Sequence, residues 1–104
     1  MTQIYAELEG GRCLLAVDGH ATGSAEVCAA ISGLVYALAG YAANAESEGR
    51  AEIFTEELES GKVRLHLHGD DRTVGACEAI LIGLLQIAEQ FPEYVQMEFG
   101  DEKF

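Results

Sequence analysis

The sequence predicts an α+β fold: a five-stranded antiparallel or mixed sheet with two helices packed on it, in the order β-β-α-β-β-α-β. Three observations carry this. Apolar residues alternate in short paired stretches, the mark of strands joined into hairpins. Two longer stretches repeat their apolar residues at spacings of three and four, the mark of helices with one buried face. The chain has 104 residues, 49% of them hydrophobic, enough for one core and too few for two. Residues 1–104 are read as one domain.

Residues 3 to 9 place Ile4, Ala6 and Leu8 on one side, and the Gly10-Gly11 pair turns the chain back into CLLAVD at 13 to 18. A GHATGS loop follows. Ser24 is suited to cap a helix and Glu26 to its first turn, where a negative charge meets the positive end of the dipole. The stripe Val27, Ile31, Leu34, Leu38 and Tyr41 marks the buried face, and the helix fades between Asn44 and Gly49. A second hairpin spans 51 to 58 and 62 to 68, turning at ESGK, with Val63, Leu65 and Leu67 on one face and His66 and His68 on the other. Asp70, Asp71 or Thr73 caps the second helix, whose stripe runs Val74, Cys77, Leu81, Leu84, Leu85 and Ala88 until Pro92 ends it. Val95, Met97 and Phe99 alternate in a last strand. The hairpin-helix unit thus occurs twice, although the two copies share little sequence by inspection.

Charge narrows the function. Eighteen acidic against six basic residues leave a net charge of −12, which opposes the phosphate neutralisation on which nucleic-acid binding depends and favours a basic partner. Neither GxGxxG nor GxxxxGK occurs, so no phosphate loop is expected. Three cysteines without a CxxC spacing fit free thiols in a reducing compartment, and a cytoplasmic location follows. From Val27 to Ala45 no residue is charged, a span of membrane-crossing length. The three-and-four stripe within it reads instead as the face of a core helix, and no membrane association is expected.

Two residues carry candidate chemistry. Cys28 lies near a helix start, where the dipole favours a thiolate, the nucleophilic form of the side chain. His20 closes the second strand, and an imidazole takes up and returns protons near neutral pH. Asp18 is a candidate to orient that ring, and helix-start amides around Val27 and Cys28 are candidates to hold an oxyanion. The competing reading makes Cys28 a small core residue and His20 an exposed loop histidine. Cys13 and Cys77 sit in apolar patterns and are assigned to the core. His66 and His68 form an HxH pair, a possible ligand spacing, but no Cys or carboxylate accompanies it at recognisable spacing, so no metal is assigned.

The strings GHA at 19–21, VCAAIS at 27–32 and GLLQIAEQFPEYVQM at 83–97 together resemble the ribosomal-processing cysteine protease family of bacteria. The resemblance implies a small cytoplasmic homodimer. It also implies the reaction: removal of an N-terminal extension from a large-subunit ribosomal protein precursor, cut after an aromatic-rich stretch by a Cys-His pair without cofactor or metal. His20 of GHA and Cys28 of VCAAIS match that pair. The loop of Ala21, Thr22, Gly23 and Ser24 falls where the family's substrate-covering loop lies. Two departures stand out: only seven residues, ATGSAEV, separate His20 from Cys28, fewer than in the family, and Ala25 occupies a position where the family tends to carry aspartate. They define the alternative function, a catalytically impaired relative that binds a basic or ribosomal protein without cleaving it.

Overall fold

A computed structural model describes residues 1–20 and 24–100. Ala21, Thr22 and Gly23 of the suspected loop lie outside the described residues. The elements run β1 (Thr2–Glu9), β2 (Arg12–Asp18), α1 (Ala25–Ser47), β3 (Ala51–Glu59), β4 (Lys62–Gly69), α2 (Asp71–Gln90) and β5 (Val95–Phe99). This is the expected order, and the sheet is mixed: β3-β4-β2-β1-β5, antiparallel throughout except for the parallel pair β1 and β5.

One face of the sheet builds the core. Ile4, Ala6, Leu8, Cys13, Leu15, Val17, Leu65, Leu67 and Val95 point into it and meet Val27, Ile31, Val35 and Leu38 of α1 and Cys77, Leu81 and Leu84 of α2. The first helix is rotated slightly from the predicted stripe, burying Val35 and Ala42 while Leu34 and Tyr41 stay half-exposed. Both have other partners. Leu34 lies against α2, where a methyl group added at Gly83 would come within 3.1 Å of Leu34 Cδ1, and the Tyr41 ring lies under the Arg50 guanidinium, 5.4 Å from its carbon. By length and composition α1 could cross a membrane; here its Val27, Ile31, Val35 and Leu38 side covers the sheet.

The strand register exposes a repeat that inspection of the sequence passes over. Leu15 stands opposite Leu65 in the β2–β4 pair. A shift of 50 positions, the separation of those two leucines, also superposes Leu8 on Leu58, Glu9 on Glu59, Gly11 on Gly61, Gly19 on Gly69, Gly33 on Gly83 and Leu34 on Leu84. Because Leu15 pairs with its own counterpart, a half-turn about an axis through that pair exchanges the two hairpins. The exchange extends to single bonds: Gly19 N donates to Gly61 O at 2.9 Å, and Gly69 N donates to Gly11 O at 2.9 Å. What hides the repeat is one extra residue in β3, where the register shifts between Ile53 and Thr55. Phe54 is left at this bulge, its ring 5.2 Å from that of His66.

Candidate active site

The half-turn makes two equivalent junctions, each where a strand hands over to a helix beside the turn of the opposite hairpin. At the first, β2 ends at Asp18 and α1 begins at Ala25. Ser24 caps the helix as predicted, its Oγ accepting from Val27 N at 3.2 Å. Cys28 is therefore the fourth residue of the helix. A helical side chain leans back toward the N-terminus, so its thiol is carried over the exposed first turn. It is half-buried and packs against the edge of the core.

A cavity of about 350 Å³ opens here, between the end of β2, the first three turns of α1 and the β3–β4 turn. His20 and Cys28 both line it. The structure thus brings the two predicted residues to one cleft. The remainder of the wall is divided by chemistry: Val17, Ile31, Val35, Leu58 and Val63 are apolar, Tyr36 stands at the mouth, and Glu59, Ser60 and Lys62 come from the turn. Sequence reasoning missed the β3–β4 contribution entirely. The signal that would have found it is the repeat of LEGG at 8–11 as LESG at 58–61.

Two expectations need correction. The amides of Val27 and Cys28 are already engaged, the first by Ser24 Oγ and the second by Ser24 O at 3.2 Å. A capping serine consumes the donor three residues on, so the predicted cap itself removes Val27 from the oxyanion role. The donors left over at a helix start are those of its first two residues, here Ala25 and Glu26. Asp18, the proposed orienter of His20, instead points to the open face of the sheet, where its carboxylate pairs with the Arg64 guanidinium at 3.0 Å.

The other histidines do not converge. His66 lies against Phe54, and His68 places Nε2 3.1 Å from Gly10 O. No group of three potential metal ligands comes together among the described residues. Cys13 and Cys77 lie in contact inside the core. The hydrogen bond to Cys77, followed by burial, pushes the Cys13 thiol well above its ordinary range and keeps it protonated. Cys28, by contrast, is half-buried and lines the cleft.

The second junction is closed. Its helix begins at Asp71, four positions earlier in the repeat than α1, and that additional turn is drawn tight. Asp70 caps it, accepting from Thr73 N at 3.0 Å and Thr73 Oγ1 at 2.7 Å. Arg50 completes the seal through Asp70 Oδ1, Thr73 Oγ1, Tyr41 OH and Glu48 Oε1. The positions equivalent to His20 and Cys28 are Asp70 and Glu78.

No family model matches the sequence, and no curated protein matches it. Solved structures do. The essential ribosomal processing protease Prp of Staphylococcus aureus, in complex with a covalently linked product peptide, superposes with a TM-score of 0.67 over 95% of this chain and 99% of its own, at 20% identity. The chain shares its fold with a ribosomal processing protease. The same protease with a substrate peptide gives a TM-score of 0.66 at 16% identity. SMU.848 from Streptococcus mutans gives 0.66 at 24%, covering 95% of this chain and 93% of that one. At these identities what is common is the fold.

Proposed function

We propose that this protein is a cysteine endopeptidase in which Cys28 is the nucleophile and His20 the proton carrier. The observation that supports it most directly is their meeting in one cleft at the dipole-positive end of α1, on a fold shared with a protease solved with peptides. The Cys28 thiol gives its proton to His20, and Sγ attacks the carbonyl carbon of the scissile bond. Orphan amides at Ala25 and Glu26 receive the oxyanion. The C–N bond then breaks, His20 protonating the departing amine. Water, deprotonated by His20, releases the acid from the thioester and restores the thiol.

The substrate that fits is a basic chain in extended form, and the N-terminal extension of a large-subunit ribosomal protein has that character. Of the six basic side chains, Arg12, Arg50, Lys62 and Arg64 are already paired with carboxylates, so the −12 field is left to attract the partner. A reducing cytoplasm suits a free catalytic thiol. A homodimer suits the outer side of α1, where Ala29, Ala30, Gly33, Ala37 and Gly40 are exposed, uncharged and small enough for close approach of a second helix.

The test is incubation with a peptide spanning the ribosomal extension and its junction. Cleavage that disappears in both Cys28→Ser and His20→Ala is expected. Tight binding with no cleavage by the unmodified protein would overturn the reading in favour of the non-cleaving relative, to which the engaged Val27 and Cys28 amides and the alanine at position 25 lend weight.

A further inference from the structure

The far hairpin does more than close one side of the cleft. Gly61, at the tip of the β3–β4 turn, has φ +78°, a left-handed conformation that side-chain-bearing residues rarely adopt. A methyl group placed on it would lie 2.6 Å from His20 Nε2, 3.2 Å from Cε1 and 3.3 Å from Cδ2. The Nε2 end of the imidazole therefore rests where a side chain of residue 61 would be. The adjacent backbone is tied down by the Gly19 N to Gly61 O bond at 2.9 Å, directly before His20. A turn from the opposite half of the sheet holds the backbone before the histidine and also underlies its ring.

We infer that Gly61 is a positioning residue for His20, the β3–β4 turn being the floor that sets where the imidazole stands relative to Cys28. The inference rests on the protease reading for its consequence in catalysis, but the contact itself does not. Any side chain at position 61 must lift the ring by the better part of an ångström to regain ordinary contact, and displacements of that size in a proton-transfer group cost on the order of 10²-fold in rate.

The twofold repeat supplies a matched control. Gly11 is the counterpart of Gly61, with φ +85°, and a methyl group there would lie 2.8 Å from His68 Nε2. Gly11→Ala thus carries comparable backbone strain and a collision with a histidine remote from the cleft, and its methyl group would also lie 3.1 Å from Gly69 O, so its cost in stability is at least that of Gly61→Ala. Gly61→Asn serves as the second variant, because asparagine tolerates positive φ better than alanine while still placing a Cβ under the ring.

Three measurements decide it. In the unmodified protein, nuclear Overhauser contacts between the Gly61 α-protons and the His20 ring are expected, and their absence overturns the inference without any substitution. With the ribosomal-extension peptide, Gly61→Ala and Gly61→Asn are expected to lower kcat by roughly 10- to 100-fold with KM little changed. Gly11→Ala should keep kcat within about twofold at a similar or larger loss of Tm. Equal loss in Gly11→Ala, or full kcat in a folded Gly61 variant, overturns it. Alkylation of Cys28 by iodoacetamide at pH 7 needs no substrate, and Gly61→Ala should slow it as His20→Ala does. Should the unmodified protein cleave nothing, the protease reading fails alone: a matching slowdown in the two variants still upholds the positioning role, and an unchanged rate in Gly61→Ala sinks it.

Discussion

The two strand-to-helix junctions descend from the same local plan and end in opposite states. At the β4–α2 junction the helix starts immediately after the strand, Asp70 caps it, and Arg50 bonds across to Asp70, Thr73 and Tyr41. At the β2–α1 junction the helix starts four positions later in the repeat, and a cavity of about 350 Å³ stands beside the late start. The difference teaches that one scaffold can carry both a helix start laced by side-chain hydrogen bonds and a helix start beside a cleft. The cleft lies at the positive end of a long helix, and Cys28, the fourth residue of that helix, lines it.

The sharpest way to break this comparison is to exchange chemistry at equivalent positions. Cys28→Ser and His20→Ala should each lower peptide cleavage by at least about 10³-fold. Asp70→Asn and Glu78→Ala, the same positions at the closed junction, should leave kcat within about twofold. Comparable loss at both junctions would mean that the open one is not special. A second test reads accessibility. Iodoacetamide should modify Cys28 in the folded protein, while Cys13 and Cys77, at 1% and 0% exposure, should react only in denaturant; mass spectrometry of the peptides counts the adducts.

The symmetry itself can be sharpened by stability measurements. Leu15 and Leu65 are both fully buried on the axis, so Leu15→Ala and Leu65→Ala should each cost about 3 kcal/mol, and nearly the same amount, in urea unfolding. Unequal costs would show that the two halves are packed differently at their seam. Ser24→Ala should cost about 1 kcal/mol through loss of the cap and reduce cleavage as the Cys28 turn loosens.

The smallest effect concerns acid. The Thr73 hydroxyl, then the Thr73 backbone N–H, holds the Asp70 carboxyl below the usual carboxylate range. A lowered folded value means that its contribution is complete above the unfolded pKa of about 3.9 and is lost as pH falls through the folded one. Asp70→Asn, which still caps, should therefore flatten the pH dependence of Tm below about pH 4. An unchanged acid limb would remove Asp70 from the account of the closed junction.

Much of the architecture was legible because each element carries its own local signal. Strand alternation, the Gly10-Gly11 turn, the Ser24 cap and the terminating Pro92 all act within a few residues of themselves. Asp70 was one of three candidates for the second cap, and sequence alone had no means to choose among neighbours that are all chemically suitable. The candidate pair His20 and Cys28 was legible for the same local reason, one at a strand end and the other near a helix start eight positions on. The rest of the cleft was not, because Leu58, Ser60, Gly61 and Val63 reach it through the β2–β4 pairing, a contact between distant segments. The repeat that would have pointed there was disguised by a single bulged residue, Phe54. Asp18 does not orient His20: residues two apart share a face only while the strand continues, but β2 ends at Asp18 and Gly19, with φ +87°, turns the chain, so the carboxylate meets Arg64 on the open face while His20 lines the cleft.

The bond from Gly19 to Gly61 bears on how the proposed activity would be lost. Neither half of the chain owns a finished cleft; it comes into being only when the seam between the hairpins zips. Heat or denaturant should therefore extinguish turnover in step with the cooperative melting of the whole sheet, with no frayed yet competent species in between. By the same logic an inhibitor wedged against Cys28 and the Ser60–Gly61 tip would act as a staple across the seam, and its affinity could be read from the rise in melting temperature it produces.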